Sequence, residues 1–142
     1  MATASVLIVD DNEVDRYILR RLLDETSYDF KIFEEADGST ALKFLADYDV
    51  NKAKYPDLFP PLVIFLDINM PIMTGPEFLN EFGKLRRQIY ANSCVVMMFT
   101  SSDRQDDIDE MLRFDFVGDY LVKGSFDADE LARRIDSITS GT

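Results

Sequence analysis

Leu62-Val63-Ile64-Phe65-Leu66-Asp67-Ile68-Asn69-Met70-Pro71 runs five apolar residues straight into a carboxylate and a turn. The apolar run predicts a strand buried on both faces, and Asp67 stands where it emerges into a loop. A charge in that place needs a chemical reason. A second run, Val6-Leu7-Ile8-Val9, ends in the same way on Asp10-Asp11. If the two strands are neighbours in a parallel sheet, three carboxylates converge at one edge. Such a group repels itself unless a cation or protons intervene.

The rest of the chain alternates short β-branched or apolar runs with longer amphipathic segments, five of each, the pattern of βα repeats around a mostly parallel sheet. After Asp10-Asp11-Asn12, Val14, Ile18 and Leu22, with Leu19 and Leu23, recur at helical spacing, and Asp11 or Asn12 is placed to cap that helix. Phe30-Lys31-Ile32-Phe33 predicts a second strand, and Asp37-Gly38-Ser39-Thr40 a turn into a helix carrying Ala41, Leu42, Phe44 and Leu45. Residues 46–61, with three prolines, predict a helix end and a long loop. Thr74-Gly75-Pro76 opens a third helix, with Phe78, Leu79 and Phe82 on one face. Cys94 to Phe99 is the fourth strand, ahead of Thr100 and a helix with Ile108, Met111 and Leu112. Gly118 precedes a fifth strand, Tyr120-Leu121-Val122, and Lys123-Gly124-Ser125 leads to a last helix with Phe126, Leu131, Ile135 and Ile138.

Right-handed crossovers wind such a sheet on both faces, and its ligand crevice lies where the winding reverses. In the strand order 2-1-3-4-5 that place falls between strands one and three, whose ends carry Asp10, Asp11 and Asp67. Thr100 and Lys123, at the ends of strands four and five, face the same crevice.

Composition narrows the functions. The 142 residues are 46% hydrophobic, which suits one compact domain over 1–142 with a core of about 6–138. With 27 acidic and 15 basic residues the formal net charge is -12, which disfavours nucleic acid and anionic membranes as partners. The single Cys94 rules out an intrachain disulfide framework, and its apolar surroundings read as core packing. The segment Met1 to Ser5 has no signal-peptide character and no run reaches membrane-spanning length, so a cytoplasmic protein is expected. There is no histidine, which removes imidazole ligands, bases and any phosphohistidine on this chain.

An acidic pair after strand one, Asp-x-Asn-Met-Pro after strand three, Thr after strand four and Lys after strand five together resemble the receiver domain of two-component response regulators. The resemblance runs from about Val6 to the last helix. It implies a flavodoxin-like α/β fold, (βα)5, doubly wound around a five-stranded parallel sheet in the order 2-1-3-4-5. It also implies a stand-alone phosphoacceptor in a phosphorelay. Asp67 would take a phosphoryl group from a phosphohistidine on a histidine kinase or histidine phosphotransfer protein, catalysing its own phosphorylation and dephosphorylation with no separate small-molecule turnover. Mg²⁺ would bind Asp11 and Asp67 directly, Asp10 through water, and the Asn69 backbone carbonyl. Lys123 and Thr100 would bind phosphoryl oxygens. Movement of Thr100 and Tyr120 would shift a surface that a downstream protein target reads, with a homodimer as one outcome.

Taken singly, each residue has a plainer reading. Asp10-Asp11 alone is an ordinary capping pair, Thr100 a turn residue, Lys123 a solvated charge, Tyr120 a core aromatic and Asn69 a turn former. The joint placement at four strand ends favours the chemical reading. Two features depart from the family pattern. Gly124 stands where receivers commonly carry proline, leaving the preceding peptide geometry open. The 46–61 insertion offers Tyr55, Leu58 and Phe59 either to a partner or to a loop packed by its own aromatics. Two alternatives from other classes remain. One is a degenerate receiver acting as a constitutive interaction module, discriminated by Mg²⁺ binding. The other is an aspartate-nucleophile phosphohydrolase, disfavoured because Asn69 stands where that group places a second Asp.

Overall fold

The computed structural model describes residues 3–90 and 94–140. Five strands, β1 (Thr3–Val9), β2 (Asp29–Glu35), β3 (Val63–Leu66), β4 (Val95–Thr100) and β5 (Val117–Val122), form one sheet. Their order is β2-β1-β3-β4-β5 and every pairing is parallel, as expected for a flavodoxin-like fold. The helices are α1 (Glu13–Asp24), α2 (Gly38–Ala46), α3 (Tyr48–Lys54), α4 (Gly75–Leu85), α5 (Gln105–Leu112) and α6 (Ala128–Ser140), with a π-helical turn at Arg86–Tyr90.

Strand periodicity divides the core into two layers. On one face Leu7, Val9, Ile64 and Leu66 pack with Ala41 and Leu45 of α2, Phe78, Leu79 and Phe82 of α4, and Met111 of α5. On the other, Val6, Ile8, Val63 and Phe65 pack with Leu19 and Leu23 of α1 and Leu131 and Ile135 of α6. Both faces of β3 are covered, so all four of its residues are buried, which is why its sequence is continuously apolar rather than alternating.

Helix starts follow their caps. Asn12, not Asp11, caps α1, its side chain accepting from the Asp15 N–H at 3.0 Å. Asp37 caps α2 through the Thr40 N–H at 2.8 Å. Thr74 and Glu77 form a reciprocal capping box at α4, with Pro76 in its first turn. Cys94 is buried ahead of β4, and burial pushes its thiol up to about 12, so it packs as an inert apolar group.

Several expectations are corrected. Among the described residues there are six α-helices, not five, because Tyr48–Lys54 within the expected 46–61 loop forms α3. Asn51 Nδ2 donates to the Phe44 carbonyl at 2.7 Å, and Lys52 Nζ donates to the carbonyls of Pro56 and Phe59 at 2.6 and 3.1 Å. Phe59 is buried edge-on to Phe44 and Tyr48, and Tyr55 edge-on to Phe33. The insertion therefore packs through Tyr48 and Phe59 within it and onto Phe33 and Phe44 outside it, and Phe59 is not free for a partner. On α1, Val14 and Ile18 are exposed, because the contact with the sheet falls on Leu19 and Leu23. Phe126 precedes α6 and packs edge-on to Phe99. The first strand begins at Thr3, earlier than Val6, and the fifth begins at Val117 and contains Gly118. Of the segment read for a signal peptide, Thr3 to Ser5 belong to β1, whereas Met1 and Ala2 lie outside the described residues. Among the described residues, no helix is long and apolar enough to cross a membrane.

Candidate functional site

The register of the sheet builds the site. Val9 pairs with Leu66, so the next residues along the two strands, Asp10 and Asp67, leave the sheet side by side, and the Asp67 N–H donates to the Val9 carbonyl at 3.2 Å. Thr100 pairs with Val122, and the Lys123 N–H donates to the Thr100 carbonyl at 2.8 Å. The four strand ends predicted from the sequence thus meet at one edge. Asp10 (1% exposed), Asp67 (6%) and Thr100 (0%) are buried, and Asp11 faces solvent.

A close backbone approach holds the β3 turn in place. The Gly75 N–H donates to the Ile68 carbonyl at 2.7 Å, and a Cβ at Gly75 would lie 2.8 Å from Ile68 Cα and 2.9 Å from the Asp67 carbonyl oxygen. Only glycine lets the start of α4 sit this close to the strand end. Within the same turn the Met73 N–H bonds to the Pro71 carbonyl at 2.7 Å, with Ile72 between them at φ 71. That conformation is uncommon and costly for a β-branched residue, and the Ile72 side chain is 85% exposed.

Lys123 is the centre of the charge arrangement. Its Nζ lies 2.8 Å from Asp10 Oδ2, 2.8 Å from Asp15 Oδ2 and 3.0 Å from Asp67 Oδ2. Burial works against the charged ammonium, but the three surrounding carboxylates outweigh it and hold the Lys123 pKa above the ordinary lysine range. The Phe99 ring lies 5.3 Å from Nζ. Gly124 takes φ +81, a conformation open to glycine, and a Cβ there would meet nothing within 4 Å. Among the described residues the one cis peptide is Phe59-Pro60, so the Lys123-Gly124 bond is trans.

Each buried carboxylate has its Oδ1 on a backbone N–H two residues along the chain. Asp10 Oδ1 accepts from the Asn12 N–H at 2.9 Å, and Asp67 Oδ1 from the Asn69 N–H at 3.4 Å. Asp10 Oδ2 is buried and within ion-pair distance of Lys123, yet the contact lacks the alignment of a hydrogen bond and this oxygen has no other partner. Desolvation raises the Asp10 pKa against the opposing pull of Lys123 and the Asn12 N–H. Asp10, Asp11 and Asp67 each offer one oxygen within 4.8 Å of the others. An all-oxygen donor set with an orphaned buried oxygen fits a hard divalent cation such as Mg²⁺.

Tyr120 is buried, its hydroxyl donating to the Ser102 carbonyl at 2.8 Å, and burial raises its pKa. Thr100 Oγ1 accepts from the Ser102 N–H at 3.5 Å, so one loop touches both residues. Sequence reasoning missed Asp15. It is an ordinary first-turn acid of α1 whose partner lies 108 residues away.

The sequence model of the response regulator receiver domain matches residues 6–136. The aerobic respiration control protein ArcA of Escherichia coli K12 is 30% identical over 142 residues, all of this chain and 51% of ArcA, so the chain spans about half the length of that relative. Among solved structures, a two-component response regulator from Cytophaga hutchinsonii superposes with a TM-score of 0.80 at 22% identity, covering 96% of this chain and 97% of that one. The receiver domain of the Arabidopsis thaliana histidine kinase CKI1, complexed with Mg²⁺ and BeF3⁻, gives a TM-score of 0.73 at 24% identity, covering 96% of this chain and 89% of that one.

Proposed function

The chain belongs to the response regulator receiver domain family, and from that premise we propose that Asp67 is a phosphoacceptor, loaded from a phosphohistidine on a partner protein. The observation that carries the reading is the convergence of Asp10, Asp11, Asp67 and Lys123, with the two oxygens of Asp67 held by different groups. A carboxylate oxygen of Asp67 attacks phosphorus, the phosphorus–nitrogen bond of the donor breaks, and the departing imidazole takes up a proton from solvent. The donor imidazole must come from outside, since the chain has no histidine.

Asp10, Asp11 and Asp67 would hold Mg²⁺, with the Asn69 carbonyl as a further oxygen ligand. When bound, the cation supplies charge neutralisation for the acidic cluster and for the incoming phosphoryl oxygens. Asp67 is the nucleophile. Lys123 receives one phosphoryl oxygen and the Thr100 hydroxyl another. Because Thr100 and Tyr120 both bond to Ser102, a shift of Thr100 toward the phosphoryl group is transmitted to Tyr120 and to the surface of α5, β5 and α6. That surface is where a downstream protein binds in response to phosphorylation.

Asp67→Asn, incubated with Mg²⁺ and radiolabelled acetyl phosphate or a cognate phosphorylated histidine kinase, is expected to lose all of the base-labile label that the unaltered protein acquires. Label persisting on Asp67→Asn assigns the acceptor elsewhere.

A further inference from the structure

The ammonium of Lys123 has three N–H donors: two are bonded to Asp15 and Asp67 at 2.8 and 3.0 Å, and Asp10 Oδ2 stands 2.8 Å away without an aligned hydrogen bond. A phosphoryl oxygen approaching Nζ competes with these carboxylates for its N–H groups and for its charge. The three competitors are not equivalent. Asp10 and Asp67 belong to the trio whose oxygens fit a cation, so their charge has a second partner available. Asp15 lies outside that trio. Its side chain, 28% exposed, stands on the first turn of α1, beside a cleft of about 400 Å³ that Ile18, Leu22, Phe99, Lys123 and Phe126 also line. The Phe99 ring, 5.3 Å from Nζ, restricts where the ammonium can retreat. Asp15 therefore keeps an uncompensated charge on the donor that the phosphoryl group needs.

We propose that Asp15 is a brake on phosphoryl entry, acting through Lys123. Its carboxylate occupies one Lys123 N–H, and its charge opposes the approaching phosphoryl oxygens. The inference rests on the reading of Asp67 as phosphoacceptor. It makes Asp15 a positioning residue that sets the loading rate and takes no part in bond making.

The test follows the initial rate of labelling by acetyl phosphate at fixed Mg²⁺, a donor small enough to need no protein docking. Asp15→Asn removes the charge but leaves an acceptor oxygen, and Asp15→Ala removes both. Each is expected to label roughly three- to tenfold faster than the unaltered protein, the gain shrinking as ionic strength rises. Glu13→Gln removes another first-turn charge from α1 without touching Lys123, and is expected to leave the rate unchanged. Equal or slower labelling of Asp15→Asn overturns the brake. Slow labelling of Asp15→Ala with an unchanged rate for Asp15→Asn overturns it in favour of a tether. An equal gain in Glu13→Gln overturns it in favour of general charge repulsion. If the unaltered protein takes no label, or Asp67→Asn takes as much, the phosphoacceptor reading fails and the inference with it. A labelled unaltered protein beside an unlabelled Asp67→Asn isolates the Asp15 question.

Discussion

Asp10 has one oxygen on the Asn12 N–H and the other pressed against Lys123 without an aligned hydrogen bond, and burial raises its pKa despite the ammonium. The sign of the consequence is opposite to that of an ordinary ion-paired aspartate. An acid whose pKa is higher folded than unfolded contributes stability that is fully present below its unfolded pKa and lost as pH rises through its folded pKa. At neutral pH the ionised Asp10 is thus a cost, of the kind that functional sites carry in exchange for their chemistry. Lys123 has the opposite sign, because its raised pKa contributes stability at neutral pH that is lost only in strong alkali. Asp10→Asn is therefore expected to raise the stability of the cation-free protein at pH 7 by about 1 kcal/mol, a Tm gain of roughly 2–4 °C. The gap should close as pH falls through the Asp10 pKa. Thermal melts in chelator from pH 7 down to pH 4 check it, and a gap that stays constant or widens on acidification contradicts the assignment. The Asp15 contact was less visible in the sequence than Asp10. Its partner lies 108 residues away, and nothing in α1 distinguishes Asp15 from an ordinary first-turn acid favoured by the helix dipole.

β1, β3 and β4 were legible because each carries an apolar run closed by a polar residue that burial alone would reject. β3 and its Asp67 are the clearest case, and β5 the least clear, since Val117-Gly118-Asp119 has no strand-like pattern and is recruited by pairing with β4. α3 was not legible. Tyr48–Lys54 has no apolar period, and Asp47 makes no side-chain cap. Its helix exists because tertiary contacts hold it, chiefly the Asn51 bond to Phe44 and the aromatic set around Phe59. Val14 and Ile18 erred in the other direction, since helical spacing reports a face and not which part of it the sheet covers. Phe59 is the test of the insertion. Phe59→Ala removes a fully buried ring and is expected to destabilise the domain by about 3–5 kcal/mol in urea unfolding. Mg²⁺ affinity of the remaining folded protein should be unchanged, because the ring packs between α2 and α3, away from the strand ends. A loss under 1 kcal/mol would mean that the insertion is not held by the packing of Phe59 against Phe44 and Tyr48.

Across the molecule the formal charge is -12, and four of its carboxylates gather at the strand ends: Asp10, Asp15 and Asp67 on Lys123, and Asp11 beside Asp10 and Asp67. One ammonium leaves that set strongly negative, so the folded domain without a cation retains repulsion that its unfolded chain relieves. The same repulsion makes the site selective for a compact divalent ion over diffuse screening by monovalent salt. Mg²⁺ binding only to the folded chain is expected to raise its stability by about 2.7 kcal/mol at a hundredfold excess over the dissociation constant, a Tm gain of roughly 5–10 °C. NaCl at matched ionic strength should give a much smaller shift, and excess chelator should reverse the gain. Asp11→Ala removes the solvent-facing ligand of the trio without opening the core, so the Mg²⁺ titration of its Tm should move to higher concentration by about tenfold or more. Equal shifts from NaCl and Mg²⁺, or an unmoved titration in Asp11→Ala, would mean that the cluster is neutralised by screening and by Lys123 alone. In that case the phosphoryl oxygens would have only Lys123 and Thr100 to receive them.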